Sequence, residues 1–255
     1  MALKAYRPMA AAAGAAAAAL LAAGCSGGSG GDEPEPLSEQ RLAQASLGAR
    51  EVDGYQIERA SAKSAAGAGS AESDRSECQP VAALLGSSPK PKPVRSVVNT
   101  FARTGDGKAY EGLMGMVRVA AYKDGGAKGT LADLRKSAES CEDGFGMKTG
   151  EGEEQKFSAV QRLAAPKLGD ESAAYRLVNT SEKAPSLVAV VRTGSTLSMF
   201  FVTSLTDPQR VEMPQDLLKA QVEKVQKAEK GRATAPSSGD VEHGDAGEAG
   251  DSQDS

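Results

Sequence analysis

Apolar residues recur at helical spacing over residues 37–47 (LSEQRLAQASL), at Leu37, Leu42, Ala45 and Leu47, with Ser38 placed to cap the first turn. The period shortens to two over residues 52–60, where Tyr55 and Ile57 alternate with Gln56 and Glu58, and this predicts a strand. Residues 61–77 are small and polar with no period and read as a mobile loop. CQPVAALLG (78–86) predicts a short helix, with Pro80 near its start and Gly86 ending it. The proline-spaced segment 88–93 then prevents regular pairing, and two strands follow at 94–103 and 113–122.

In residues 128–141, Leu131, Leu134, Ala138 and Cys141 share one helical face, with Thr130 as the expected N-cap. Four further strands are expected at 157–164, 171–179, 187–193 and 197–203. Gly194-Ser195 is a two-residue hairpin connection between the last two. A closing helix over 214–230 turns Leu217, Leu218, Gln221, Val225 and Ala228 inward, and Glu223 stands four residues before Lys227. A run of antiparallel strands flanked by helices is α+β, so the expected fold is a single domain with a sheet of about five to seven strands.

Both ends of the chain depart from this pattern. Lys4 and Arg7 precede an uncharged apolar run over 9–23, which is too short for a membrane span of about 20 residues and suits a signal peptide. Leu21-Ala22-Ala23-Gly24-Cys25 resembles the bacterial lipobox, with Ala22 where leucine is usual. The resemblance implies a signal peptide at 1–24 and a diacylglyceryl group on Cys25, which becomes the first mature residue. Each buried methylene of such chains contributes about 0.8 kcal/mol, which holds a protein to a leaflet without a spanning helix. Residues 25–36 then form a tether, flexible in its Gly-Ser half and stiffer where Pro34 and Pro36 occur. The domain is expected at 37–231, followed by an acidic disordered tail at 232–255.

Composition narrows the function classes. Net charge is −4, aromatics are 4% and Trp is absent, so neither a basic footprint nor base-stacking groups point to nucleic acid. Outside the cytoplasm the two remaining cysteines, Cys78 and Cys141, are expected to be joined. The alternative is a catalytic thiol, which needs a histidine or positive field beside it, and the single histidine, His243, lies in the tail. Metal and cofactor sites are not expected, because zinc and its relatives favour His and Cys clusters.

Adjacent acids at Glu142-Asp143 and Asp170-Glu171 read as solvated turn residues rather than a glycosidase pair, and no Ser-Lys pair stands out. Gly169-Asp170-Glu171 reads as a tight turn entering a strand, with Asp170 bonding nearby amides. Tyr175, Arg176 and Arg192 are candidate ligand-binding residues, on strands that neighbour one another in sequence. Met114, Met116, Met199, Phe200 and Phe201 are core-forming residues that also permit an adaptable apolar cleft.

The motifs ECQPVAALLG, LGDESAAYRL and VAVVRTGSTLSMFFV, with the 131–141 helix, resemble the sensor-like extracytoplasmic domain of actinobacterial lipoproteins, the module that also caps PknH-type membrane kinases. The resemblance covers about 78–230. The kinase type carries additional cysteines, where this chain has two. It implies a membrane-anchored, extracytoplasmic domain that binds a small molecule, lipid or envelope protein and catalyses nothing. A carrier of lipid or another hydrophobic molecule is the alternative, and an envelope hydrolase is a third reading.

Overall fold

The computed structural model describes residues 35–61, 65, 69–86, 89–105, 110–180 and 185–233, which fall in one compact unit. The expected signal peptide, Cys25, nearly all of the expected tether and the expected acidic tail from 234 lie outside the described residues.

Among the described residues four α-helices accompany one antiparallel sheet. Helix α1 (Glu39–Ala45) is capped by Ser38, whose hydroxyl accepts from the Arg41 amide at 3.4 Å. Strand β1 (Tyr55–Arg59), β2 (Glu72–Ser73) and helix α2 (Gln79–Leu85) follow. Then come β3 (Arg95–Thr104), β4 (Tyr110–Ala121), helix α3 (Gly126–Ser140), β5 (Phe145–Lys148), β6 (Glu154–Arg162) and β7 (Glu171–Asn179). The hairpin β8 (Pro185–Thr193) and β9 (Thr196–Ser204) and helix α4 (Gln215–Ala233) close the fold. The strand order is β1-β3-β4-β9-β8-β7-β6-β5-β2, so the α+β expectation holds but the sheet has nine strands, not five to seven.

The two additional strands are too short for periodicity to register. β5 alternates Phe145 and Met147 inward over only four residues, and β2 pairs with it through Glu72 and Ser73 inside the stretch expected to be a loop. Gly144 permits the bend into β5: its φ is +92°, and a Cβ there would lie 2.1 Å from the Phe157 carbonyl oxygen. Helix α3 also starts earlier than expected. Left-handed Gly125 is its cap, and Thr130 sits one turn into the helix with its hydroxyl donating to the Gly126 carbonyl at 2.7 Å. On α4, Glu223 reaches back to Lys219 at 3.9 Å rather than forward to Lys227.

Strand alternation splits the core between the two faces of the sheet. On one face α1 and α4 cover Ile57, Phe101, Val117 and Phe200, burying Leu42, Leu217, Leu218 and Val225. Gln221 latches these helices together: it is fully buried, donates to the Ala45 carbonyl at 2.6 Å and accepts from the Leu47 amide at 3.0 Å. On the other face α2 and α3 cover Tyr175, Leu177, Val188 and Val190. With helices on both sides, β8 is buried at eight of its nine positions, which is why it reads as a continuous apolar run.

The Cys78–Cys141 disulfide joins the start of α2 to the end of α3, with 5.8 Å between the Cα atoms and both residues fully buried. Arg75 reinforces the junction by donating to the Ser140 and Gly144 carbonyls, each at 3.1 Å. The pair of helices is thereby held over one part of its face, and the strip beyond the C-terminus of α2 is left uncovered.

Candidate functional site

The uncovered strip is a groove of about 590 Å³. Its floor is set by alternation: Met116 of β4, Phe201 and Thr203 of β9, Ser186 of β8, Asn179 of β7 and Phe157 of β6 all project from the same face. Leu84 and Leu85, the last residues of α2, form a wall, and Leu205, 65% exposed, stands at the rim. Phe157 is fixed by stacking on Phe145, with ring centroids 5.1 Å apart. None of the thirteen described lining residues is charged, although a quarter of the chain is. Two hollows of similar size, about 640 and 670 Å³, are instead lined with charged groups such as Glu51, Arg59 and Lys224, or Asp74, Lys148 and Lys156.

A pocket of this size with an apolar floor and a few neutral hydrogen-bonding groups is suited to holding a largely apolar ligand. Of the five Met and Phe residues singled out in the sequence, Met116 and Phe201 line the groove. Phe200 and Met199 are buried in the cores on opposite faces, and Met114 is 37% exposed. The wall from α2 and the polar positions Asn179, Ser186 and Thr203 carry no sequence signal of a site, because they come from elements up to 119 positions apart in the chain.

The three candidate ligand residues are not brought together. Tyr175 pairs with Val188 and is buried under the helices, where burial pushes its hydroxyl pKa up. Arg176, the next residue on the strand, projects from the opposite face, half-buried. Arg192 pairs with Glu171, four register positions from Tyr175 and so roughly 13 Å along the strand.

Arg192 belongs to an ion cluster with the Asp170-Glu171 turn. Its Nη1 donates to Asp170 at 3.0 Å and its Nη2 lies 3.1 Å from Glu171. Arg135 of α3 donates to the other Glu171 oxygen at 2.8 Å. Arg135, then Arg192, hold the Glu171 carboxyl below the ordinary carboxylate range. Asp170 accepts from the Gly194 amide at 2.8 Å, so the amide it bonds belongs to the β8–β9 turn rather than its own. Gly169 allows this approach, since its φ is +66° and a Cβ would lie 2.4 Å from the Arg192 carbonyl oxygen. With every carboxylate paired, this cluster fastens the start of β7 to the hairpin. Glu142 and Asp143 are exposed in the turn after α3.

No family model and no curated protein matches this chain. Among solved structures, the fold is similar to the extracellular domain of PknH from Mycobacterium tuberculosis. The two share 12% identity with a TM-score of 0.48, covering 77% of this chain and 98% of that one. It is a distant likeness of fold. Among the described residues no helix is long and apolar enough to cross a membrane.

Proposed function

We propose that this chain is a lipid-anchored extracytoplasmic binding protein, held to the outer surface of the cell membrane through Cys25, whose ligand occupies the groove below α2. The observation that carries the reading is the groove itself: an apolar floor with an uncharged lining on a sheet face otherwise covered by helices. Its lining offers neutral hydrogen bonds and apolar contact but no carboxylate, lysine or histidine to move a proton, so binding without catalysis is the activity it suits. The buried disulfide supports an oxidising compartment, as the lipobox-like LAAGC does from the sequence.

Carriage of a lipid or another hydrophobic molecule is the second reading, favoured by Met116, Met147, Phe157 and Phe201 meeting in one groove. The test of the binding function is mass spectrometry of the full chain purified gently from its native membrane. A co-purifying molecule in fixed ratio is expected. A chain that is ligand-free from every preparation, and that takes up nothing from an extract of that membrane, contradicts it.

A further inference from the structure

Arg118 is the one charged side chain that is buried among the described residues, at 5% exposure. It lies on β4 two residues from Met116, on the same face, where neighbouring same-face positions are roughly 7 Å apart. Its Nη1 donates to the Gly86 carbonyl at 2.9 Å, directly after the Leu84-Leu85 wall. Arg118 is not itself one of the lining residues: its guanidinium sits behind the Leu84-Leu85 wall, at the residue that follows it, one same-face position along β4 from Met116.

Capping α2 uses one donor of the guanidinium's five. No carboxylate lies within ion-pair distance of it among the described residues, and Nε and Nη2 have no hydrogen-bond partner there. Neither nitrogen is among the fully enclosed polar atoms that lack a partner, so both keep some exposure. Burial holds the guanidinium below its ordinary pKa, with only the Tyr122 hydroxyl opposing. It still carries its charge at neutral pH, because arginine is protonated there in any protein setting. A charge kept in an apolar face without an acid is costly unless an anion meets it.

We propose that the groove takes an acyl amphiphile whose anionic head, a carboxylate or a phosphate, is bound by Arg118 while its chain lies along Met116 and Phe201. This rests on the groove being the ligand site and adds the charge of the ligand. The test uses the full chain stripped of endogenous ligand and three fluorescent probes with the same acyl chain: a free acid, a monoalkyl phosphate and the uncharged methyl ester. A charge-assisted contact predicts that the acid or the phosphate binds at least tenfold more tightly than the ester. The higher of the two ratios identifies the head group.

Arg118→Met is expected to bring both ratios to about one while ester binding persists, and Arg118→Lys to retain part of the preference. If the Met variant does not fold, the ratios in the unsubstituted chain decide alone. Equal binding of all three probes overturns the role of Arg118 and leaves the groove reading standing. Failure of every probe to bind, the ester included, overturns both.

Discussion

Arg192 and Glu171 face each other as register partners on adjacent antiparallel strands, and the guanidinium lies 3.1 Å from the carboxylate. The same guanidinium reaches Asp170 and the Gly194 carbonyl, so one side chain ties the start of β7 to the β8–β9 turn. The folded-state pKa of Glu171 is lowered, so its contribution is present above about pH 4.5 and is lost as pH falls through the folded value. Glu171→Gln is expected to cost about 1 kcal/mol at pH 7, since the group is partly solvated. It should also flatten the loss of stability below pH 4.5. Denaturant melts across that range check both, and an unchanged acid limb removes Glu171 from the cluster's role.

The disulfide ties α2, whose last residues form the groove wall, to α3. On a chain-entropy basis, closing a loop with a sequence separation of 63 contributes about 4 kcal/mol. Replacing both Cys78 and Cys141 with serine should lower the melting temperature markedly and weaken ligand binding, because the end of α2 is the groove wall. Two reactive thiols from these positions in the unreduced, denatured chain contradict the bond.

Tyr122 is buried beside Arg118, and burial raises its pKa to about 12 against the smaller opposing effects of Thr130 and Arg118. The raised value means stability is complete below about pH 10, where the unfolded tyrosine ionises, and falls as pH rises toward 12. The loss amounts to about 2 to 3 kcal/mol over that window. Tyr122→Phe should remove that alkaline limb at little cost at neutral pH. Tyrosinate absorbance during the titration checks the assignment, and a Tyr122 that ionises near pH 10 in the folded chain contradicts it.

Cys25→Ala tests the anchor. The substituted chain should appear in the medium, or stay unprocessed with its signal peptide attached, while the unsubstituted chain sediments with membranes. A cleaved Cys25→Ala product that stays with the membrane fraction contradicts lipidation.

The β7–β9 segment was legible because long apolar runs are separated by turn residues: the expected 171–179 coincides with β7, and Gly194-Ser195 is the hairpin turn. The Cys78 helix was legible from Pro80 and Gly86, and the inward face of α4 from its spacing. β2 and β5 were not, because two and four residues carry too little period. The three candidate ligand residues lie apart for a definite reason. Consecutive Tyr175 and Arg176 must project from opposite faces of a strand, and Arg192 is spent on an acidic turn. The groove itself arises where α2 stops short on the sheet, a relation among distant segments. Its sequence trace was Met116 and Phe201, two of the large apolar residues that permit a cleft.

Occupancy of the groove is decided by native mass spectrometry of the full chain from its own membrane, beside Thr203→Trp, which places an indole over the floor between Phe201 and Ser186. The unsubstituted chain should carry one ligand per molecule, and Thr203→Trp should lose it while melting within a few degrees of the parent. Equal ligand occupancy in the two proteins would place the binding site elsewhere on the molecule.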